Sequence, residues 1–181
     1  TLRIRQRTKN EIFSRPSARY FPRVALVRIL VDGYSLLHAW PGIAPGRPRH
    51  SARAREELVH WLTQYQDAVR TPITVFFDGI RAPADTPKAH SRPEMEIIFS
   101  RSGRTADDLI ERTTHRLLPY GDVLVVTDDN AERDTVLSLG GLAYSCDTFI
   151  ADFNSVLGEL ELDLHHINRR ERGQFKRPHS R

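Results

Sequence analysis

A chain of 181 residues with 39% hydrophobic and 28% charged side chains has the size and composition of one globular domain with a charge-rich surface. It has no apolar stretch near the ~20 residues that cross a bilayer and no apolar signal-like segment at its start. Its single cysteine, Cys146, excludes an internal disulfide framework or a cysteine zinc cluster, so a reducing cytoplasm is the expected compartment. The net charge of +4 divides unevenly: residues 1–23 carry +6 and residues 165–181 carry +5, which leaves −7 for residues 24–164. The expected organisation is an acidic domain over 24–164 between a flexible basic arm (1–23) and a basic tail (165–181). Basic segments of this kind suit a polyanion such as nucleic acid.

Taken in order, the acidic domain opens on Ala25-Leu26-Val27-Arg28-Ile29-Leu30-Val31, an apolar run that stops at Asp32-Gly33-Tyr34. Such a run, ended by a turn residue, reads as a buried strand of a parallel sheet. Ser35–Trp40 follows as a short helical turn closed by Pro41-Gly42, then a Gly/Pro/Arg loop with Arg47 and Arg49. Ser51 is an N-cap for a helix to about Arg70, with Leu58, Leu62, Tyr65 and Val69 on one face. Strand 2, Ile73–Phe77, runs into Asp78-Gly79, and a polar, proline-rich loop leads to strand 3 over Glu94–Ser100. Thr105 and Asp108 have the form of a capping box, and Leu109, Ile110, Thr113 and Leu117 line the inner face of the helix they open. Strand 4, Asp122–Thr127, runs into Asp128-Asp129. A shorter helix over Asn130–Leu139 stops at Gly140-Gly141. Leu142–Ser145 forms strand 5, with Cys146 beside it as a small core residue. A last helix starts at Asp147 or Thr148 and turns Phe149, Phe153, Val156, Leu160 and Leu164 inward. Alternating strands and helices predict an α/β fold with a parallel sheet of about five strands.

A single Asp at a strand end means little, because Asp is a common turn residue. Here Asp32, Asp78 and Asp128-Asp129 close apolar runs, and Asp107-Asp108 follows a fourth after a short polar link. In an open parallel sheet the carboxyl ends of the strands border the functional crevice. Carboxylates gathered there raise one another's pKa unless a cation neutralises them. Oxygen ligands without Cys or clustered His suit Mg²⁺ or Mn²⁺ rather than zinc, and such a centre equips a protein for phosphodiester hydrolysis. Basic residues fall on two segments expected to border the crevice: Arg47, Arg49, Arg53 and Arg55, then Arg81, Lys88, Arg92, Arg101 and Arg104. Acid in the centre and base on the rim suit a nuclease. No glycine-rich phosphate loop and no Ser/His constellation supports another chemistry.

Three motifs together are similar to one family. Val31-Asp32-Gly33-Tyr34-Ser35-Leu36-Leu37-His38-Ala39-Trp40-Pro41, Val75-Phe76-Phe77-Asp78-Gly79 and Ile98-Phe99-Ser100-Arg101-Ser102-Gly103-Arg104-Thr105-Ala106-Asp107-Asp108 resemble the YacP-like branch of the NYN domains. Val126-Thr127-Asp128-Asp129-Asn130-Ala131-Glu132 extends the resemblance, which covers roughly residues 27–162. Those domains are PIN-like, metal-dependent ribonucleases. The resemblance implies a three-layer PIN-like (flavodoxin-like) fold and an endoribonuclease acting on mRNA or structured RNA, with the ribosome as a further candidate partner. It places catalytic roles on Asp32, Asp107 and Asp129. Metal ligation would fall on the same three together with Asp78 and Asp108. RNA contacts would fall on Ser35, Arg47, Arg49, Arg101 and Arg104. Two positions depart from the family pattern: Ser35 stands where Asn is usual, and Asp128 where Ser is usual, so Asp129 is the preferred ligand of that pair. Ser35 reaches less far than Asn, which leaves a non-catalytic RNA- or ribosome-binding module as the alternative. A DNA-directed 5′-nuclease would share the acids, but the chain has no arch or helix-hairpin-helix motif.

Overall fold

The computed structural model of the chain describes residues 26–79, 92–100 and 103–174. The basic arm over 1–23, Arg81, Lys88, Arg101 and the end of the tail from 175 lie outside the described residues. The elements run β1 (Leu26–Asp32), α1 (Gly33–Ala39), α2 (Ala52–Val69), β2 (Ile73–Phe77), β3 (Met95–Phe99), α3 (Ala106–Leu117), β4 (Asp122–Val126), α4 (Asn130–Ser138), β5 (Leu142–Tyr144) and α5 (Cys146–Gln174). A single 3₁₀ turn, Leu118–Tyr120, follows α3.

The strands form one sheet in the order β3-β2-β1-β4-β5, and every neighbouring pair is parallel. Val31 is paired with Val75 on one side and Val126 on the other, which brings the ends of β1, β2 and β4 level. Side chains alternate between the faces of a strand, and the two cores follow from that alternation. Ile29, Val31, Val75, Phe77 and Val126 meet Leu36 and Leu37 of α1, Leu58, Leu62 and Tyr65 of α2, and Phe149 and Phe153 of α5. Leu30, Phe76, Val123 and Val125 meet Ala106 and Ile110 of α3 and Val136 of α4. The result is the three-layer α/β fold expected. Each of these fully buried aliphatic or aromatic side chains contributes roughly 1.5–3 kcal/mol. Between the outer helices, the Tyr65 hydroxyl donates to the buried Asp152 carboxylate at 2.5 Å.

The order of the strands decides where a site can form. The chain builds outward from β1 to β2 and β3, then returns to the free edge of β1 as β4. That reversal leaves a crevice at the carboxyl ends of β1 and β4.

Three local expectations differ from the structure. Cys146 is buried as expected, but it opens α5 instead of lying beside a strand: Ser145 caps the helix by accepting from the Thr148 amide at 3.2 Å, and the Asp128 carboxylate accepts the Cys146 N–H at 2.8 Å. On α3 the expected Ile110, Leu109 and Leu117 do pack on the core, but its most buried line runs through Ala106, Ile110 and Thr114, with Thr113 only half-buried. Leu160 is exposed at 43%, since α5 has passed the last sheet and helix contacts at Val156 and Leu157; the Leu164 side chain lies outside what is described. The backbone of α5 continues to Gln174, into the basic tail.

Candidate active site

Most acids at the strand ends are held by a hydrogen-bonding task, and those tasks sort the acids. Asp32 ends β1 and caps α1: its Oδ1 accepts from the Tyr34 and Ser35 amides at 3.0 and 3.3 Å, and its Oδ2 accepts from the Ser35 hydroxyl at 2.6 Å. The shorter side chain at position 35 does reach the carboxylate. Gly33 is required between them, since a Cβ there would lie 2.2 Å from the Phe77 ring. Thr105 and Asp108 form the expected capping box, each side chain accepting from the other's backbone N–H at 3.2 Å. Asp108 is thereby committed to the helix end, while Asp107 has no such task.

Beyond β4 the two adjacent acids diverge. Asp128 turns toward α5, where it accepts from the Cys146 amide. Asp129 caps α4, its Oδ1 accepting from the Ala131 and Glu132 amides at 2.7 and 3.2 Å. Asp78, at the end of β2, accepts from the Ser100 hydroxyl at 3.0 Å, and the same hydroxyl accepts from the Gly79 amide at 2.9 Å.

Among the described residues, the carboxylates that converge are Asp32, Asp107 and Glu132, which offer oxygens all within 4.8 Å of one another. Asp129 adjoins them closely enough to raise the pKa of both Asp107 and Glu132. Asp78, Asp108 and Asp128 are not in this group. Glu132 is the member that the sequence reading passed over. It stands three residues after Asp129, in the first turn of α4, where a Glu ordinarily reads as the far half of a capping box. It caps nothing. The Asp-x-x-Glu spacing directly after an acidic strand end was the available signal.

The electrostatics are those of a site that lacks positive charge. Glu132 is 7% exposed, and both of its carboxylate oxygens are buried with no hydrogen-bond partner. Burial does most to push its carboxyl up, to about 7; the Thr127 hydroxyl, close by but outside hydrogen-bond geometry, pulls it down next, and Asp107, Asp32 and Asp129 each add a smaller rise. Asp107 opens to solvent on its outer side, yet partial desolvation, followed by Asp32, Asp129 and Asp108, raises its pKa too; its own backbone N–H opposes the rise. No described Lys or Arg forms an ion pair with any of these carboxylates. Buried carboxylates are held by a partner, a proton or a cation. An all-oxygen donor set with two orphaned oxygens fits a hard divalent ion.

The chain matches the family model of the YacP-like NYN domain over residues 29–180. The chain belongs to the YacP-like NYN domain family. Protein YacP of Bacillus subtilis (strain 168) is 28% identical over 134 residues, covering 74% of this chain and 78% of that protein. Two crystal structures of Rae1 (YacP) from Bacillus subtilis superpose on it. One, a point mutant, does so with a TM-score of 0.66 at 25% identity, covering 80% of this chain and 85% of the other. The second has a TM-score of 0.68 at 24% identity, covering 81% and 84%. This YacP-like NYN domain is therefore a nuclease-like domain with an acidic group able to hold a metal ion.

The expected RNA-contacting residues of the YacP-like NYN domain are placed unequally. Arg47 and Arg104 are exposed, Arg104 one residue before the cap of α3. The Arg49 guanidinium donates to the Trp40 and Ile43 carbonyls at 3.2 and 3.1 Å and so pins its own loop. The Ser35 hydroxyl is spent on Asp32.

Proposed function

We propose that this protein is a metal-dependent endoribonuclease. The observation that carries the reading is Glu132: a buried carboxylate with no hydrogen bond to either oxygen, one of which lies within 4.8 Å of oxygens of Asp32 and Asp107 at the switch point of the sheet. Asp32, Asp107 and Glu132 would hold Mg²⁺ or Mn²⁺, with Asp129 contributing charge from the cap of α4. When bound, such an ion lets a phosphodiester approach a cluster that would otherwise repel it, and activates water.

The chain's own residues have distinct parts in this reading. The Ser35 hydroxyl and two backbone amides fix both oxygens of Asp32, so that carboxylate needs no reorganisation when substrate arrives. Asp107, the solvent-facing member, accepts a hydrogen bond from the attacking water and orients it. Asp78 supports the neighbouring strand end through Ser100. Arg47 and Arg104 lie exposed, free to meet backbone phosphates and give position without sequence preference. The family likeness supports RNA as the substrate.

The test is cleavage of an end-labelled RNA and a matched DNA with Mg²⁺, Mn²⁺ or EDTA. Wild type should cut RNA internally, only with metal, and Asp107→Asn and Glu132→Gln should each lose at least about 100-fold in rate while remaining folded. RNA bound with steep salt dependence but never cut would replace this reading with that of a non-catalytic RNA-binding module.

A further inference from the structure

On the opposite face of the sheet from α3 and α4, a buried guanidinium stands among aromatic rings at the ends of β2 and β3. Arg55, in the first turn of α2, is 4% exposed. Its Nη1 donates to the His50 carbonyl at 2.7 Å and lies 3.5 Å from the Tyr34 hydroxyl. Its carbon sits 5.7 Å from the centroid of the Phe99 ring. Its Nη2 is buried without any hydrogen-bond partner, and no described carboxylate pairs with it. Around it, the Tyr34 ring meets His50 edge-on at 4.6 Å and Phe77 at 5.1 Å, and the His38 ring meets His50 at 5.3 Å.

A structural role accounts for part of this arrangement: Nη1 pins the His50 carbonyl, and the positive charge is attracted to the Phe99 ring face. It leaves Nη2 without a task. A buried cation with no described carboxylate beside it is costly, and an anion at Nη2 would offset more of that cost than a ring face and neutral acceptors do. The guanidinium fork matches the oxygens of a phosphate two at a time. This group of side chains also shares a turn with the acidic cluster, because Tyr34 contributes its hydroxyl here and its amide to Asp32.

We propose that Arg55, with Tyr34, His50 and His38 around it, forms a phosphate pocket that anchors the RNA strand outside the scissile bond. His38 is the exposed member and marks the side from which the pocket is reached. The assignment rests on the ribonuclease reading for its substrate class, though not for the existence of the pocket.

The experiment uses the full chain in EDTA. Inorganic phosphate is titrated while the Arg55 Nε–Hε and His50 ring resonances are followed, and a labelled ten-nucleotide RNA is titrated by anisotropy. Phosphate should shift both resonances in wild type, and Arg55→Met should weaken RNA binding about tenfold, with Arg55→Lys in between because it keeps the charge and loses the fork. Resonances that phosphate leaves unmoved in wild type overturn the pocket whether or not the variants fold. So does a folded Arg55→Met that binds RNA undiminished. The two readings fail separately: RNA held through Arg55 but never cut overturns the nuclease, while RNA cut with unchanged KM by Arg55→Met overturns the pocket.

Discussion

Glu132 carries a charge that the metal-free fold does not want. Its carboxyl is displaced from an ordinary 4.5 to about 7, chiefly by burial. A raised folded-state pKa means that the folded protein binds the proton more tightly than the unfolded chain does. The stability this group contributes is therefore complete below pH 4.5 and is lost as pH rises through about 7. In EDTA, Glu132→Gln should melt with wild type near pH 5 and exceed it near pH 8 by on the order of 2–3 kcal/mol. Urea melts of both proteins across that range would show it, and parallel curves would contradict it. Added Mg²⁺ or Mn²⁺ should stabilise wild type at pH 8 far more than the variant. The residue was the hardest part of the site to see in the sequence. Asp32, Asp107 and Asp129 stand out as acids at or just beyond the ends of apolar runs, whereas Glu132 looks like an ordinary first-turn acid on a helix, and its burial comes from tertiary packing, with α4 lying against β5 and α3.

At the scale of elements, the strand ends are tied together by contacts that tolerate little change. A Cβ on Gly79 would lie 1.8 Å from the Ser100 carbonyl oxygen, which is backbone and cannot swing aside. Gly79→Ala should therefore cost at least about 2 kcal/mol, read as a lower midpoint of chemical unfolding, and it should displace Asp78 with it. Asp128 gives a cleaner comparison. It is exposed, lies outside the converging acids and caps α5 through the Cys146 amide. Asp128→Ala should cost about 1 kcal/mol of stability and leave metal-dependent cleavage intact, measured by unfolding and by the RNA assay in parallel. The same bond explains where sequence reasoning about the last helix fell short. Hydrophobic spacing placed Phe149 and Phe153 in the core correctly. The start of α5, however, combines a local cap, Ser145 accepting from the Thr148 amide at 3.2 Å, with a carboxylate 18 positions earlier that holds the Cys146 amide, and only the first of these can be read from the neighbouring residues. Likewise Leu160 has helical spacing with Phe153 and Val156, but no layer remains for it to pack on.

Across the whole molecule, charge is segregated more sharply than the net value shows. Residues 24–164 carry −7, while the flanking segments carry +6 and +5. An acidic domain would repel RNA at long range, so the flanks are the natural source of attraction. Association should weaken steeply with salt, each engaged basic side chain adding about −0.7 to the slope of log K against log salt for a single strand. Deleting residues 1–23 should flatten that slope and leave the rate of cleavage at saturating RNA unchanged, checked by anisotropy at several salt concentrations alongside single-turnover kinetics. The three-layer fold was legible because nearly every strand is a short apolar run closed by a turn residue, and each β–α alternation leaves few topologies. The flanks were legible only as charge.

The acids at the strand ends have two employers. Asp32, Asp108, Asp128 and Asp129 each hold the first turn of a helix, so on the nuclease reading proposed above a relative without catalysis would still need them in order to fold. A tally of aspartates is consequently a poor diagnosis of a living nuclease in this family. Glu132 has no such second duty, and without a cation beside it its charge burdens the fold. Drift in an inactive lineage should replace it early, with Gln or an apolar residue, while the aspartates persist. Position 132, more than the conspicuous acids, is where the loss of the activity would first be written.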